Sequence, residues 1–202
     1  MKRIGALIFP GFELLDMFGP LEMFGLLKDE FEICMVAEDE GAVPSNQGPK
    51  AMADATYETK AAYDLVLVPG GRGTRREVDN PATLSWLKTV QSDAELMLSV
   101  CTGSALLAKT GLLDGLQATT NKAAFDWVAG QGPKVKWVKK ARWVKDGAYF
   151  TSSGVSAGMD MSLAVLSHLL GKETAEQVAI SAEYEWHQDP DWDPFAAIHG
   201  LV

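Results

Sequence analysis

The stretch Leu96-Met97-Leu98-Ser99-Val100-Cys101-Thr102-Gly103-Ser104-Ala105-Leu106-Leu107-Ala108 decides how the rest of the chain is read. Its first five residues are a short apolar run preceded by charge, which predicts a buried strand. Ala105-Leu106-Leu107-Ala108 are good helix formers. Cys101 therefore falls where a strand ends and a helix begins. A sharp turn there lifts the side chain clear of the sheet. The free N–H groups and positive end of the helix are expected to favour the thiolate, the reactive form.

Working outward, Ile4–Phe9, Phe31–Ala37 and Leu65–Val68 are further runs of near-continuous apolar character. Helix-compatible segments separate the later strands, and Pro81–Gln91 is the clearest of them. Continuous apolar strands alternating with helices predict an α/β fold whose parallel sheet is covered on both faces. After Thr119 the pattern changes to a short helix over Lys122–Ala129 and strands over Val135–Val138, Ala141–Lys145 and Ala148–Thr151. Asp146-Gly147 is a hairpin turn between the last two. Ser156–Leu170 is apolar almost all round, which predicts a largely buried helix ending at Gly171. A second helix is expected over Thr174–Tyr184. Residues 1–202 read as one domain, with Trp186–Val202 an extension packing on the domain or on a dimer partner.

A net charge of −9 and a sequence pI of about 4.8 argue against nucleic acid and against an anionic membrane surface. The one basic cluster, Lys134, Lys136, Lys139, Lys140, Arg142 and Lys145, reads as the solvated face of a hairpin. The two cysteines, Cys34 and Cys101, form no framework, which fits a reducing compartment. The N-terminal apolar run stops at Pro10-Gly11 and reads as a strand rather than a leader. No run approaches the ~20 residues of a membrane span. A soluble, cytoplasmic protein is expected.

Ligands of open parallel sheets bind beyond the carboxyl ends of the strands. Three such ends carry suitable residues: Pro10 to Asp16, Pro69-Gly70-Gly71, and Cys101-Thr102-Gly103. The N–H groups of Gly70, Gly71 and Thr102 are candidate oxyanion donors beside the sulfur. The plainer reading of the glycines is a tight turn. They do not make a dinucleotide fingerprint. Asp16, set among Leu, Met and Phe, is either a helix cap or a desolvated proton partner for Cys101, with Glu22 the alternative carboxylate. Pro20 is expected in the first turn of the helix that follows. Of His168, His187 and His199, none is a clear base for Cys101, which argues against a Cys-His protease. Asp189-x-Asp191-x-Asp193 fails as a calcium loop, and no cluster has zinc spacing, so neither metal nor cofactor is expected. Cys34 lies mid-strand and reads as a buried structural thiol.

Five ordered motifs resemble the DJ-1/PfpI (ThiJ) superfamily. They are Phe9-Pro10 with Asp16-x-x-Gly19-Pro20, Val68-Pro69-Gly70-Gly71, Ser99-Val100-Cys101-Thr102-Gly103-Ser104, Gly111–Gly115 with Ala118-Thr119-Thr120, and Gly154-Val155-Ser156-Ala157-Gly158-Met159-Asp160. The resemblance implies a flavodoxin-like α/β sandwich, a reactive cysteine at the elbow and a homodimer. Asp16, with Thr102 after the cysteine, is similar to the isocyanide hydratase branch, which implies thiolate attack on a small isocyanide with Asp16 managing protons. Phe12, Phe18 and the tryptophans are then expected to line an apolar pocket. Many relatives have His after Thr-Thr, whereas this chain has Asn121, a hydrogen-bonding residue near the substrate that does not shuttle protons. Ligand domains of AraC-type regulators share these motifs, but the chain ends at Val202 without a helix-turn-helix region, which disfavours DNA binding. Two alternatives stand beside hydration: glyoxalase- or deglycase-like thiol chemistry, and a redox-sensing or ligand-binding protein whose Cys101 is oxidised to sulfinate.

Overall fold

The apolar runs become the centre of a sheet. A computed structural model describes residues Met1–Val202. It begins with β1 (Lys2–Leu7), α1 (Leu14–Gly25), β2 (Phe31–Ala37), three short strands β3 (Ala42–Pro44), β4 (Lys50–Met52) and β5 (Ala55–Thr56), and β6 (Leu65–Val68). There follow α2 (Thr74–Glu77), α3 (Pro81–Gln91), β7 (Leu96–Ser99), a 3-10 turn over Cys101–Gly103 and α4 (Ser104–Lys109). The last part holds β8 (Gln117–Ala118), α5 (Phe125–Gln131), β9 (Lys136–Trp137), β10 (Trp143–Asp146), β11 (Tyr149–Ser152), α6 (Ala157–Leu170), α7 (Lys172–Ser181) and α8 (Phe195–Ile198).

Seven strands pair in the order β10-β11-β7-β6-β1-β2-β5. Every pairing is parallel except the β10–β11 hairpin. The fold is thus a mostly parallel sheet with helices around it. Strands β6 and β7 are buried along their whole length, which is why their sequences do not alternate. The central trio β7-β6-β1 aligns Val68 with Ser99 and Ala6 with Leu67. The three chain segments singled out in the sequence therefore leave the sheet side by side. Helix α3 was legible because its start is written locally. Asn80 Oδ1 accepts from Ala82 N at 3.0 Å, and Pro81 occupies the first turn.

Several boundaries differ from expectation. Helix α1 starts at Leu14, so Pro20 lies inside it rather than in its first turn. The cost of an internal proline is met because Met17, Leu21 and Phe24 bury the same helix in the core. The helix expected at Lys122 begins only at Phe125, since Lys122 is turned inward. The basic cluster is not wholly solvated either. Arg142 is buried, and its Nε donates to Asp160 Oδ2 at 2.5 Å.

Asp160, fully buried in the first turn of α6, also gathers the chain's last segment. Its Oδ1 accepts from Tyr184 Oη at 3.0 Å and from His187 N at 2.9 Å, while its carbonyl accepts from Trp186 Nε1 at 3.2 Å. Further along, Asp193 Oδ2 lies 3.4 Å from the buried Lys122 Nζ. Asp193 Oδ1 accepts from Phe195 N at 2.9 Å, starting α8. The extension thus packs on its own chain through buried charges. Removing one member of such a pair strands the other without solvent. We expect Asp160→Ala to lower the unfolding free energy by about 3–5 kcal/mol, read by urea denaturation. A loss below about 1 kcal/mol, the scale of a surface pair, would contradict the clamp.

Candidate active site

Strand β7 runs into Val100, still extended at φ −114°, and then the backbone reverses at Cys101 with φ +56°. A non-glycine residue in this region is strained and persists only where its surroundings hold it. Cys101 N donates to Ser153 O at 3.1 Å, and Cys101 O accepts from Thr120 Oγ1 at 2.8 Å and Ser104 Oγ at 3.1 Å. Those bonds pin both ends of the corner. The neighbouring Val155, a β-branched residue at φ +40°, is strained as well.

Three strand-end loops are stitched together around the sulfur. Glu13 N donates to Gly70 O at 2.9 Å, Gly70 N to Asp16 Oδ2 at 2.9 Å, and Gly71 N to Thr102 Oγ1 at 3.1 Å. A Cβ on Gly70 would lie 2.6 Å from Thr102 N and 2.8 Å from Asp16 Oδ2, so only glycine fits. This corrects one expectation. The N–H groups of Gly70 and Gly71 are not free oxyanion donors, because Asp16 and Thr102 consume them. Of the three expected donors, the Thr102 N–H is the one that favours charge on the sulfur, and the Val155 N–H does so with it.

Asp16 is fully buried, and its Oδ1 makes no conventional hydrogen bond; the Cys101 thiol is its polar neighbour. It is not a helix cap, a role that falls to Glu13 without a side-chain bond. Burial pushes the Asp16 carboxyl up to about 7, against the lowering effect of the Gly70 N–H. Burial, and then the Asp16 charge, push the Cys101 thiol well above its ordinary value, and the N–H groups of Thr102 and Val155 only partly offset them. The corner by itself thus does not produce a free thiolate. The six-residue α4 is too weak a dipole to outweigh desolvation beside a carboxylate. A negative charge on Asp16 disfavours a second one on the sulfur beside it.

Cys101 opens onto a cleft of about 600 Å³. Gly71, Thr102, Asn121 and Val155 line it, together with Glu13, Asn46, Arg72 and Arg75. Asn121 Oδ1 accepts from Ala124 N at 3.0 Å, which fixes the amide at the wall. Glu22 is not brought to the site; it is exposed on α1. The aromatic lining is also absent. Phe12 is buried in the core, and Phe18 is exposed at the surface 6.4 Å from it, ring to ring. Trp127 lies beside the cleft under Arg75, whose guanidinium carbon is 4.0 Å from the ring centre. No histidine lines the cleft. His168 packs on Phe150, His187 stacks on Trp192, and His199 borders an adjoining cavity of about 220 Å³.

Arg72 and Arg75 had a signal in the sequence, since they follow the end of β6 by a few residues. Asn46 had none, because it arrives from the β3–β4 turn through the fold alone.

A mostly parallel sheet with helices around it, and a strained thiol elbow beside a buried carboxyl, define a class: flavodoxin-like α/β proteins. The chain belongs to the DJ-1/PfpI family, whose model matches residues 2–168. It is 35% identical to an isonitrile hydratase of Pseudomonas putida over 90% of this chain and 78% of that one. It is 28% identical to the HTH-type transcriptional regulator CdhR of Pseudomonas aeruginosa over 86% of this chain, but spans only 52% of the regulator. The crystal structure of a ThiJ/PfpI family protein from Pseudomonas syringae superposes with a TM-score of 0.85 at 31% identity, covering 100% of this chain and 86% of that one. No helix of the chain is long and apolar enough to cross a membrane.

Between the ordinary carboxyl value of 3.8 and about 7, the folded protein holds a proton at Asp16 that the unfolded chain releases. Stability therefore falls as pH rises through this window. The Asp16→Asn variant should lack this decline, so the gap between the two unfolding free energies should widen in its favour toward pH 7. Parallel curves would contradict a raised carboxyl. Thiol labelling gives a second check. Cys34 is buried with Tyr63 Oη 3.8 Å from its sulfur, whereas Cys101 opens on the cleft. Cys101 should label faster, and equal rates would contradict the assignment.

Proposed function

We propose that this protein hydrates isocyanides to N-substituted formamides, with Cys101 as nucleophile and Asp16 as proton carrier. The observation that carries the reading is the buried Cys101–Asp16 pair without a histidine in the cleft. Acyl-transfer chemistry on a cysteine normally draws on a histidine base. An isocyanide carbon needs one nucleophile and one mobile proton, which is what the pair supplies.

In the first step the thiol proton passes to Asp16 and the sulfur attacks the terminal carbon of R–N≡C. Asp16 returns the proton to that carbon, giving a thioimidate, R–N=CH–S–Cys101. The N–H groups of Thr102 and Val155 favour the charged sulfur on the way. In the second step Asp16, again ionised, takes a proton from water as its oxygen bonds to the carbon, and passes that proton to the nitrogen. Collapse breaks the C–S bond, the hydroxyl proton returns to the pair, and R–NH–CHO leaves. A pKa near 7 suits Asp16 to both halves, because a group that must give and take one proton works best near the ambient pH. The similarity to an isonitrile hydratase supports the same reading.

The test is direct. With an alkyl or aryl isocyanide, formamide absorbance should grow at a rate proportional to enzyme. Cys101→Ala should abolish it, and Asp16→Asn should lower kcat by roughly 10²–10⁴-fold, the usual worth of a positioned acid–base. Wild-type inactivity across several isocyanides, with Cys101 intact, would overturn the proposal.

A further inference from the structure

The cleft is charged where an isocyanide site was expected to be apolar, and the charge follows a pattern. The chain has five arginines. Three are paired with carboxylates: Arg3 with Glu32, Arg76 with Glu77 and Arg142 with Asp160. The other two, Arg72 and Arg75, form no ion pair, and both line the Cys101 cleft. Arg72 makes no side-chain hydrogen bond within the protein. Arg75 uses only Nη1, which donates to Thr74 Oγ1 at 3.1 Å and to Gly71 O at 3.5 Å. Its guanidinium lies over the Trp127 ring, and Nε and Nη2 are left free.

Two unpaired like charges side by side repel, and burial makes the charge of Arg75 costlier still. A protein of net charge −9 has carboxylates in excess to pair with them. The one carboxylate in the cleft wall, Glu13, pairs with neither arginine and accepts from the amides of Asn46 and Gln47. The cleft therefore holds two guanidinium groups with free donors and no internal partner. A carboxylate fits two such forks, which present parallel N–H donors. In an otherwise acidic molecule, this is also the place where an anion would be concentrated.

We propose that Arg72 and Arg75 form an anion subsite beside Cys101, and that the electrophile attacked there carries a carboxylate on its substituent. Resting on the isocyanide reading, the substrate is then an isocyano carboxylate rather than a small apolar isocyanide. The carboxylate seats on the arginines while the terminal carbon reaches the sulfur.

Iodoacetate and iodoacetamide test this independently of turnover, because they are of similar size and differ in charge. Their alkylation rates at Cys101 are read by peptide mass spectrometry. The iodoacetate-to-iodoacetamide ratio should fall about tenfold in Arg72→Gln and in Arg75→Gln, and should fall in wild type when salt is raised to ~1 M. Arg75 also stacks on Trp127, so Arg72→Gln, which loses no hydrogen bond or ion pair, is the deciding variant. An unchanged ratio in folded Arg72→Gln overturns the anion subsite, whatever the enzyme does with isocyanides. A second arm compares kcat/KM for isocyanoacetate and its methyl ester. Preference for the acid that is lost in Arg72→Gln supports the proposal. A reduced alkylation ratio with neither isocyanide consumed keeps the subsite and removes the hydration reading.

Discussion

The backbone of Gly70 passes so close to Thr102 and Asp16 that no side chain fits between them, and the site depends on that approach. It lets the Gly70 N–H reach the Asp16 carboxyl and lets the next N–H reach the Thr102 hydroxyl. Three loops from three neighbouring strands become one rigid floor. That floor sets the carboxyl beside Cys101, whose positive φ is held by its bonds to Ser153, Thr120 and Ser104. The order β7-β6-β1 at the middle of the sheet is therefore also what assembles the chemistry.

Electrostatics inside this floor run against the simple picture of a thiol at a helix end. Desolvation acts on both members of the Cys101–Asp16 pair and raises both. In the proposed reaction, a proton moved from the thiol to an ionised Asp16 leaves the net charge of the enclosed pair unchanged. The cost of burying this charge is lowered by the donors that face it: Gly70 N–H on the carboxyl, Thr102 and Val155 N–H on the sulfur. The arginines sit further out, on the cleft wall, where they act on what enters rather than on the pair.

Much of the fold was legible because it is written in local patterns. β2, β6 and α3 appear with the expected limits, each marked by a continuous apolar run or by an Asn-Pro start. The elbow was legible because strand and helix formers meet at Cys101. Errors fell where tertiary packing overrode local preference. Pro20 is tolerated inside α1 because the core side of that helix is buried, and Lys122 leaves its expected helix to meet Asp193. The reading of Gly70 and Gly71 as oxyanion donors failed because two side chains distant in sequence claim their N–H groups.

By itself, the sequence determined the alternation of apolar strands and helices, the corner at Cys101 and the lack of a histidine close to it in the chain. These follow from periodicity, turn chemistry and composition, which act over a few residues. Only the tertiary structure decided which N–H faces the sulfur, that Asp16 is a buried partner rather than a cap, that Glu22 stays outside, and that Arg72 and Arg75 stand unpaired at the cleft. Each of those is a question of which groups far apart in the chain share a small volume without water, and that is set by how the strands are ordered.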